Sequence, residues 1–117
     1  MKKVLYVDCC IRGEESRTKK IADAFFANLS DQYEVEHLDL KNENLKPLVN
    51  DFFDEREKLI AEHNLTHPRF RYAHELADVD MIVIAAPFYD LSFPSLLKIY
   101  IENCTVDGIT FASTSTG

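Results

Sequence analysis

Apolar residues fall into runs separated by polar punctuation, and the period of each run predicts an element. Lys3 to Asp8, "KVLYVD", is β-branched and apolar and predicts a strand. Ser16 is a good helix N-cap, and Ile21, Ala22, Phe25 and Leu29 recur behind it at helical spacing. Tyr33 to Leu40, "YEVEHLDL", alternates as a half-buried strand near a sheet edge does. After a polar break, Val49 to Asn64 predicts a helix with Phe52, Phe53, Leu59 and Ile60 as its apolar positions. The stretch "THPRFRYAHELADVD" opens with an N-cap and a proline in the first turn, then turns Phe70, Ala73, Leu76 and Ala77 inward. Met81 to Ala86, "MIVIAA", is apolar without alternation, as a strand covered on both faces of a parallel sheet is. "PFYDLSFP" reads as a loop, "SLLKIYIENC" as an amphipathic helix, and Gly108 to Phe111 as a short extended piece. No internal repeat is visible, and the only low-complexity stretch is the tail "STSTG".

The order β-α-β-(α)-α-β-α predicts a doubly wound α/β fold with a parallel sheet. Right-handed crossovers place the first strand between the second and third. Ligands of such sheets sit beyond the carboxyl ends of the strands, at the switch point. Two loops emerge there, Cys9 to Ser16 and Pro87 to Phe93, and are expected to face each other.

Composition narrows the partners. The chain has 117 residues, the size of a single domain, with 13 basic against 20 acidic residues and a net charge of −7. An acidic surface argues against nucleic acid and against an anionic membrane. No apolar run approaches the length of a spanning helix, and "MKKVLYVDCC" is a poor secretory signal, so a cytoplasmic location is expected. Three cysteines, Cys9, Cys10 and Cys104, lack metal-ligand spacing and are expected as reduced thiols. His37, His63, His67 and His74 form no ligand pattern; they are expected to be solvated, and no metal site is expected.

The first crevice loop raises a question of charge. The helix after Ser16 begins with Arg17, Lys19 and Lys20, although acidic residues are favoured at that end of the dipole. In one reading the cations are solvated and offset locally by Glu14 and Glu15. In the other, free backbone N–H groups, the Ser16 and Thr18 hydroxyls and the Arg17 guanidinium bind an anion such as phosphate. Neither G-x-G-x-x-G nor a P-loop is present. The second loop adds Phe88, Tyr89, Leu91 and Phe93, aromatic and apolar residues that suit a flat ligand, a core cap or a dimer contact. Together the loops point to a planar ring carrying a phosphate tail.

On "KVLYVDCCIRGEESRTKKIADAF" and "DMIVIAAPFYDLSFPSLLKIYIENCTVDGITF" the chain resembles the flavodoxin-like NAD(P)H dehydrogenase (quinone) and FMN-dependent NADH-azoreductase family. The A-P-x-Y-x-x-x-x-P-x-x-L-K-x-Y-x-[DE] string is the more specific mark. The resemblance implies a single truncated flavodoxin-like domain over 1–117, the N-terminal part only. Strand order 2-1-3 is present, and strands four and five are missing. It implies that Cys10, Ser16, Arg17 and Thr18 hold the FMN phosphate, and that Pro87, Phe88, Tyr89, Asp90 and Leu91 lie along the isoalloxazine ring. It implies ping-pong hydride transfer from NAD(P)H through FMN to a quinone or azo compound, with no catalytic side chain, and a homodimer or higher self-association. Cys9 and Cys10 stand where serine is common in the family, and a thiol is a weaker donor to phosphate. With two strands missing, FMN binding is expected to weaken, the third strand becomes an open apolar edge, and the first helix lacks a neighbour.

Other functions compete. A truncated, non-catalytic flavodoxin-like module acting by self-association is the main alternative. A low-molecular-weight phosphatase-like enzyme needs a C-x5-R-[ST] cradle, but here six residues separate Cys10 from Arg17. A receiver domain is discarded, because Asp8 stands without an acidic neighbour and the third strand ends in Ala-Ala-Pro.

Overall fold

A computed structural model describes residues 2–88 and 92–112. The chain divides into two compact units, Met1–Asn44 with Val79–Lys98, and Leu45–Asp78 with Ile99–Gly117.

The first unit holds the sheet. Strands β1 (Lys2–Asp8), β2 (Tyr33–Asp39) and β3 (Met81–Ala85) are parallel in the order β2-β1-β3, as the crossover rule requires. The register aligns Tyr6 with His37 and Val83, and Asp8 with Asp39 and Ala85. Central β1 is buried from Val4 onward, as expected of a strand paired on both sides. Helix α1 (Arg17–Ala27) begins at the Ser16 cap, whose Oγ accepts from the Lys19 N–H at 3.2 Å.

Two details of this unit correct the sequence reading. The inner face of α1 is Ala22 with Phe26, four residues on, rather than Ile21 and Phe25, which are exposed. Phe26 meets the Tyr6 ring at 4.5 Å, an aromatic contact worth about 1 kcal/mol beyond its buried area. Strand β3 is not covered on both faces: Ile82 and Ile84, in register with Leu5 and Val7, are 43% and 47% exposed. Among the described residues β3 is an edge strand, hydrogen-bonded to β1 alone.

The second unit contains α2 (Asn50–Ala61) and α3 (Arg71–Ala77). Its core gathers Leu59, Phe70, Ala73 and Val106, with Ile60, Leu65 and Ile109 packed against them. Phe53 and Ala77, expected inside, are exposed. A 3-10 turn, Pro68–Phe70, precedes α3, and its cap is His67, whose Nδ1 accepts from the Arg69 N–H at 3.1 Å. The Arg69 guanidinium stacks 4.0 Å above the Phe52 ring. Gly108 to Phe111 forms a turn instead of an extended piece, closed by Gly108 N–H to the Phe111 carbonyl at 2.8 Å. Gly108 has φ +95°, and a Cβ there would meet Leu65 Cδ1 at 2.8 Å, so both backbone and space call for glycine. Helix α4 (Ser95–Cys104) contributes its first residues to one unit and its last to the other.

Candidate functional site

The carboxyl ends of β1 and β3 lie side by side. The Cys9 N–H donates to the Ala85 carbonyl at 2.9 Å, so the loop after β1 starts against the end of β3. The two predicted loops thus leave the same end of the sheet. A tight turn follows, with Gly13 at φ +61° and its N–H on the Cys10 carbonyl. The chain then enters α1 at Ser16, which is buried. The backbone N–H groups of Arg17 and Thr18 meet no acceptor among the described residues. The Arg17 side chain is exposed and joins no ion pair there.

Cys10 sits differently from its expected role. Its side chain is in the core with Tyr6, Ala22 and Ala85, and Sγ donates to the Ala85 carbonyl at 3.7 Å. Burial pushes its thiol above the ordinary value, outweighing the Ser16 hydroxyl that favours the thiolate. A thiol so placed is a packing group, neither open to a ligand nor poised as a phosphatase nucleophile. Burial likewise pushes Cys9 and Cys104 up to about 12, and all three cysteines are free.

On the second loop, Pro87 is buried and Phe88 is 65% exposed. Phe88 and Phe93 meet edge to face at 6.4 Å, presenting an aromatic corner just past β3. Tyr89, Asp90 and Leu91 lie outside the described residues.

Sequence reasoning missed Asp8. Its carboxylate is 1% exposed at the end of β1 and accepts from the Cys10 N–H at 2.9 Å. His37 Nε2 lies 2.9 Å from its other oxygen, and Lys19 Nζ lies 3.7 Å from that same oxygen. Burial acts to raise the Asp8 pKa, but the Cys10 N–H, His37 and Lys19 outweigh it and hold the carboxyl below its ordinary range. An ionised Asp8 only accepts, so the His37 Nε2 carries the proton. The imidazole also stacks on Tyr6 at 4.6 Å. Burial opposes the Lys19 charge, yet Asp23, Asp8 and Glu14 raise its pKa above the usual lysine value. His37 and His74 are exposed, in keeping with the expectation of solvated rings, but each, like the half-buried His67, also makes a specific hydrogen bond. Asp8 was readable as a polar end to an apolar strand; its partners Lys19 and His37, 11 and 29 residues away, were not.

Two open clefts, of about 500 and about 250 Å³, lie at the opposite, amino end of the strands, lined by Lys2, Asp31, Gln32 and Tyr33 and by residues around Val35 and Val79. Neither gathers groups suited to chemistry. Among the described residues no cluster of three metal-ligating side chains occurs, and no helix is long and apolar enough to cross a membrane.

The model of the family described as having a flavodoxin-like fold matches residues 2–117. An FMN-dependent NADH:quinone oxidoreductase of Clostridium perfringens is 40% identical over all of this chain and 61% of its own length. One from Coprothermobacter proteolyticus is 36% identical over all of this chain and 60% of its own. An azoreductase from Bacillus anthracis superposes with a TM-score of 0.86 at 26% identity, over 100% of this chain and 62% of that one. An FMN-dependent NADH-azoreductase from the same species, in complex with FMN, gives 0.78 at 18% identity over 100% and 61%, a likeness of fold alone. The chain therefore spans about 61% of the length of the curated relatives it matches.

Proposed function

The chain belongs to the flavodoxin-like fold family, and from that premise we propose that it carries the FMN-binding part of an NAD(P)H-dependent quinone or azo reductase. The observation that supports this most is the pairing of a helix start that keeps the Arg17 and Thr18 N–H groups without acceptors among the described residues with an aromatic corner at the same end of one sheet. The fit with FMN is good at both ends. The Arg17 and Thr18 N–H groups, the positive end of α1 and the Arg17 guanidinium suit the phosphate. Pro87, Phe88, Tyr89, Asp90 and Leu91 are assigned to the ring, with Phe88 supplying the exposed apolar surface. Ser16 caps and orients the helix start. Cys10 supports the turn from within the core, a change from the direct contact the resemblance implies.

The chemistry FMN supplies when bound is hydride transfer in two half-reactions, first from NAD(P)H and then to a quinone or azo acceptor. The residues of this chain position and exclude water. Neither Cys9 nor Cys10 is placed as a covalent nucleophile, since both are buried with their thiol pKa raised. The test is titration of the purified chain with FMN, followed by quenching of flavin fluorescence, and the visible spectrum of the saturated sample. Saturable quenching with a yellow protein fraction after gel filtration is expected; a colourless fraction and no quenching refute the reading.

One observation favours a second role, self-association as a homodimer or larger assembly. The exposed Ile82 and Ile84 lie on an edge strand, and an apolar parallel edge is a template for pairing. Sedimentation is expected to show concentration-dependent association that Ile82→Lys with Ile84→Lys abolishes. A monomer at every concentration removes this role.

A further inference from the structure

Asp8 is a charged side chain only 1% exposed, at the end of β1, and it accepts from the Cys10 N–H in the turn that leads into α1. A carboxylate there opposes an anion at the helix start, because like charges repel more strongly where water is partly excluded. Its surroundings offset that charge from three elements. The loop gives the Cys10 N–H, β2 gives His37, and α1 gives Lys19. Lys19 brings an ammonium, and it belongs to the first turn of α1, the turn assigned above to phosphate. It reaches inward instead, with its ammonium 3.7 Å from Asp8 and 3.6 Å from Asp23. Glu14 and Asp39 add further negative charge around this cluster.

We propose that Asp8 sets how strongly the start of α1 holds a phosphate, by engaging Lys19 and leaving Arg17 and the free N–H groups as the anion's partners. The inference rests on the flavin reading above and assigns the charge balance of that same site. Asp8 touches no ligand in this account; it is a specificity-determining residue acting through Lys19.

The experiment compares FMN with riboflavin, which has the same ring and no phosphate, so their affinity ratio isolates the phosphate end. Asp8→Asn keeps the shape and an acceptor for the Cys10 N–H while removing the charge and freeing Lys19. The FMN-to-riboflavin ratio is expected to rise about tenfold. Lys19→Met leaves Asp8 uncompensated and is expected to lower the ratio, and the double variant returns it toward that of the unaltered chain. A merely structural role for Asp8 gives the opposite sign, since a loosened turn grips phosphate less well. An unchanged or lowered ratio in a folded Asp8→Asn variant overturns the proposal while the flavin reading stands. If Asp8→Asn loses its far-ultraviolet dichroism, Lys19→Met decides: a lowered ratio supports the proposal and an unchanged one overturns it. If the unaltered chain binds both flavins equally, the phosphate placement fails and this inference fails with it; if it binds neither, the flavin reading itself is lost.

Discussion

Ser16 offers a way to separate what holds α1 in place from what α1 does. Its hydroxyl oxygen is the acceptor for the Lys19 N–H at 3.2 Å, and the residue is buried, so water has little access to replace it. Replacing Ser16 by alanine removes that acceptor and orphans one donor at the helix start. The bond is at the long end of the N–H···O range, which lowers its worth, while burial of the freed donor raises the cost. The two effects place the loss at about 1 kcal/mol, within the usual range for a lost cap. For a chain of this size that corresponds to a fall in Tm of about 3–6 °C. Asparagine ranks with serine as a cap, so Ser16→Asn is expected to recover most of the loss.

The measurement is urea unfolding followed by dichroism at the helix band, for the unaltered chain and both variants. Ser16→Ala is expected to shift the midpoint without changing the slope, since the surface exposed on unfolding is the same. The same variant is expected to weaken FMN more than riboflavin, because fraying of the first turn blurs the Arg17 and Thr18 N–H groups. An alanine variant as stable as the parent, or an asparagine variant as weak as alanine, refutes the cap's assigned role.

Acid should act through Asp8. Its folded pKa is depressed, so the native state binds fewer protons than the unfolded one; its stabilisation is present above the unfolded value of about 4 and disappears as pH falls through the folded value. Unfolding free energies measured across the acid range are expected to fall less steeply in Asp8→Asn, and an identical slope contradicts this. Arg17→Ala, at an exposed residue without an ion pair among the described residues, is expected to change stability by less than about 0.5 kcal/mol while lowering the FMN-to-riboflavin ratio about tenfold. An unchanged ratio would remove Arg17 from the phosphate site. Cys10→Ser is expected to leave FMN affinity unimproved and to lose about 1–2 kcal/mol of stability, because the hydroxyl replaces a thiol packed on Tyr6, Ala22 and Ala85. A clear gain in FMN affinity would show that residue 10 faces the ligand after all.

The parallel sheet, its order and the Ser16 cap were all legible, because each depends on short-range patterning and on the handedness of crossovers. What failed was assignment of faces. Ile21 and Phe25 fit a helical stripe as well as Ala22 and Phe26 do, and only the position of the Tyr6 ring chooses between them. Similarly, "MIVIAA" has the composition of a doubly covered strand, but coverage belongs to neighbours rather than to the strand itself. His67 displaced the expected threonine as a cap because an imidazole nitrogen, once aimed by the turn, accepts as a hydroxyl does. At the site, the loop positions were readable from topology, yet the inward turn of Cys10 was not, since a cysteine at a strand end serves equally as core or as donor.

The cations at the start of α1 resolve by division of labour. Glu14 and Glu15, the obvious local partners in the sequence, take only a minor part. Lys19 is drawn to Asp8, at the end of the preceding strand, and to Asp23, one turn further along its own helix. That leaves its charge inside the protein, where it offsets a buried carboxylate that would otherwise repel an anion. Lys20 is exposed and joins no ion pair among the described residues, as a solvated lysine does. Arg17 has neither an inward partner nor a place in the core, and it stands beside two N–H groups without acceptors. Simple tolerance of three surface charges would leave them equivalent. Their unequal placement, with Lys19 drawn to a buried carboxylate while Arg17 and Lys20 stay exposed, suits the proposed anion site: positive charge remains at the helix start to attract phosphate, and the buried carboxylate is kept from cancelling it.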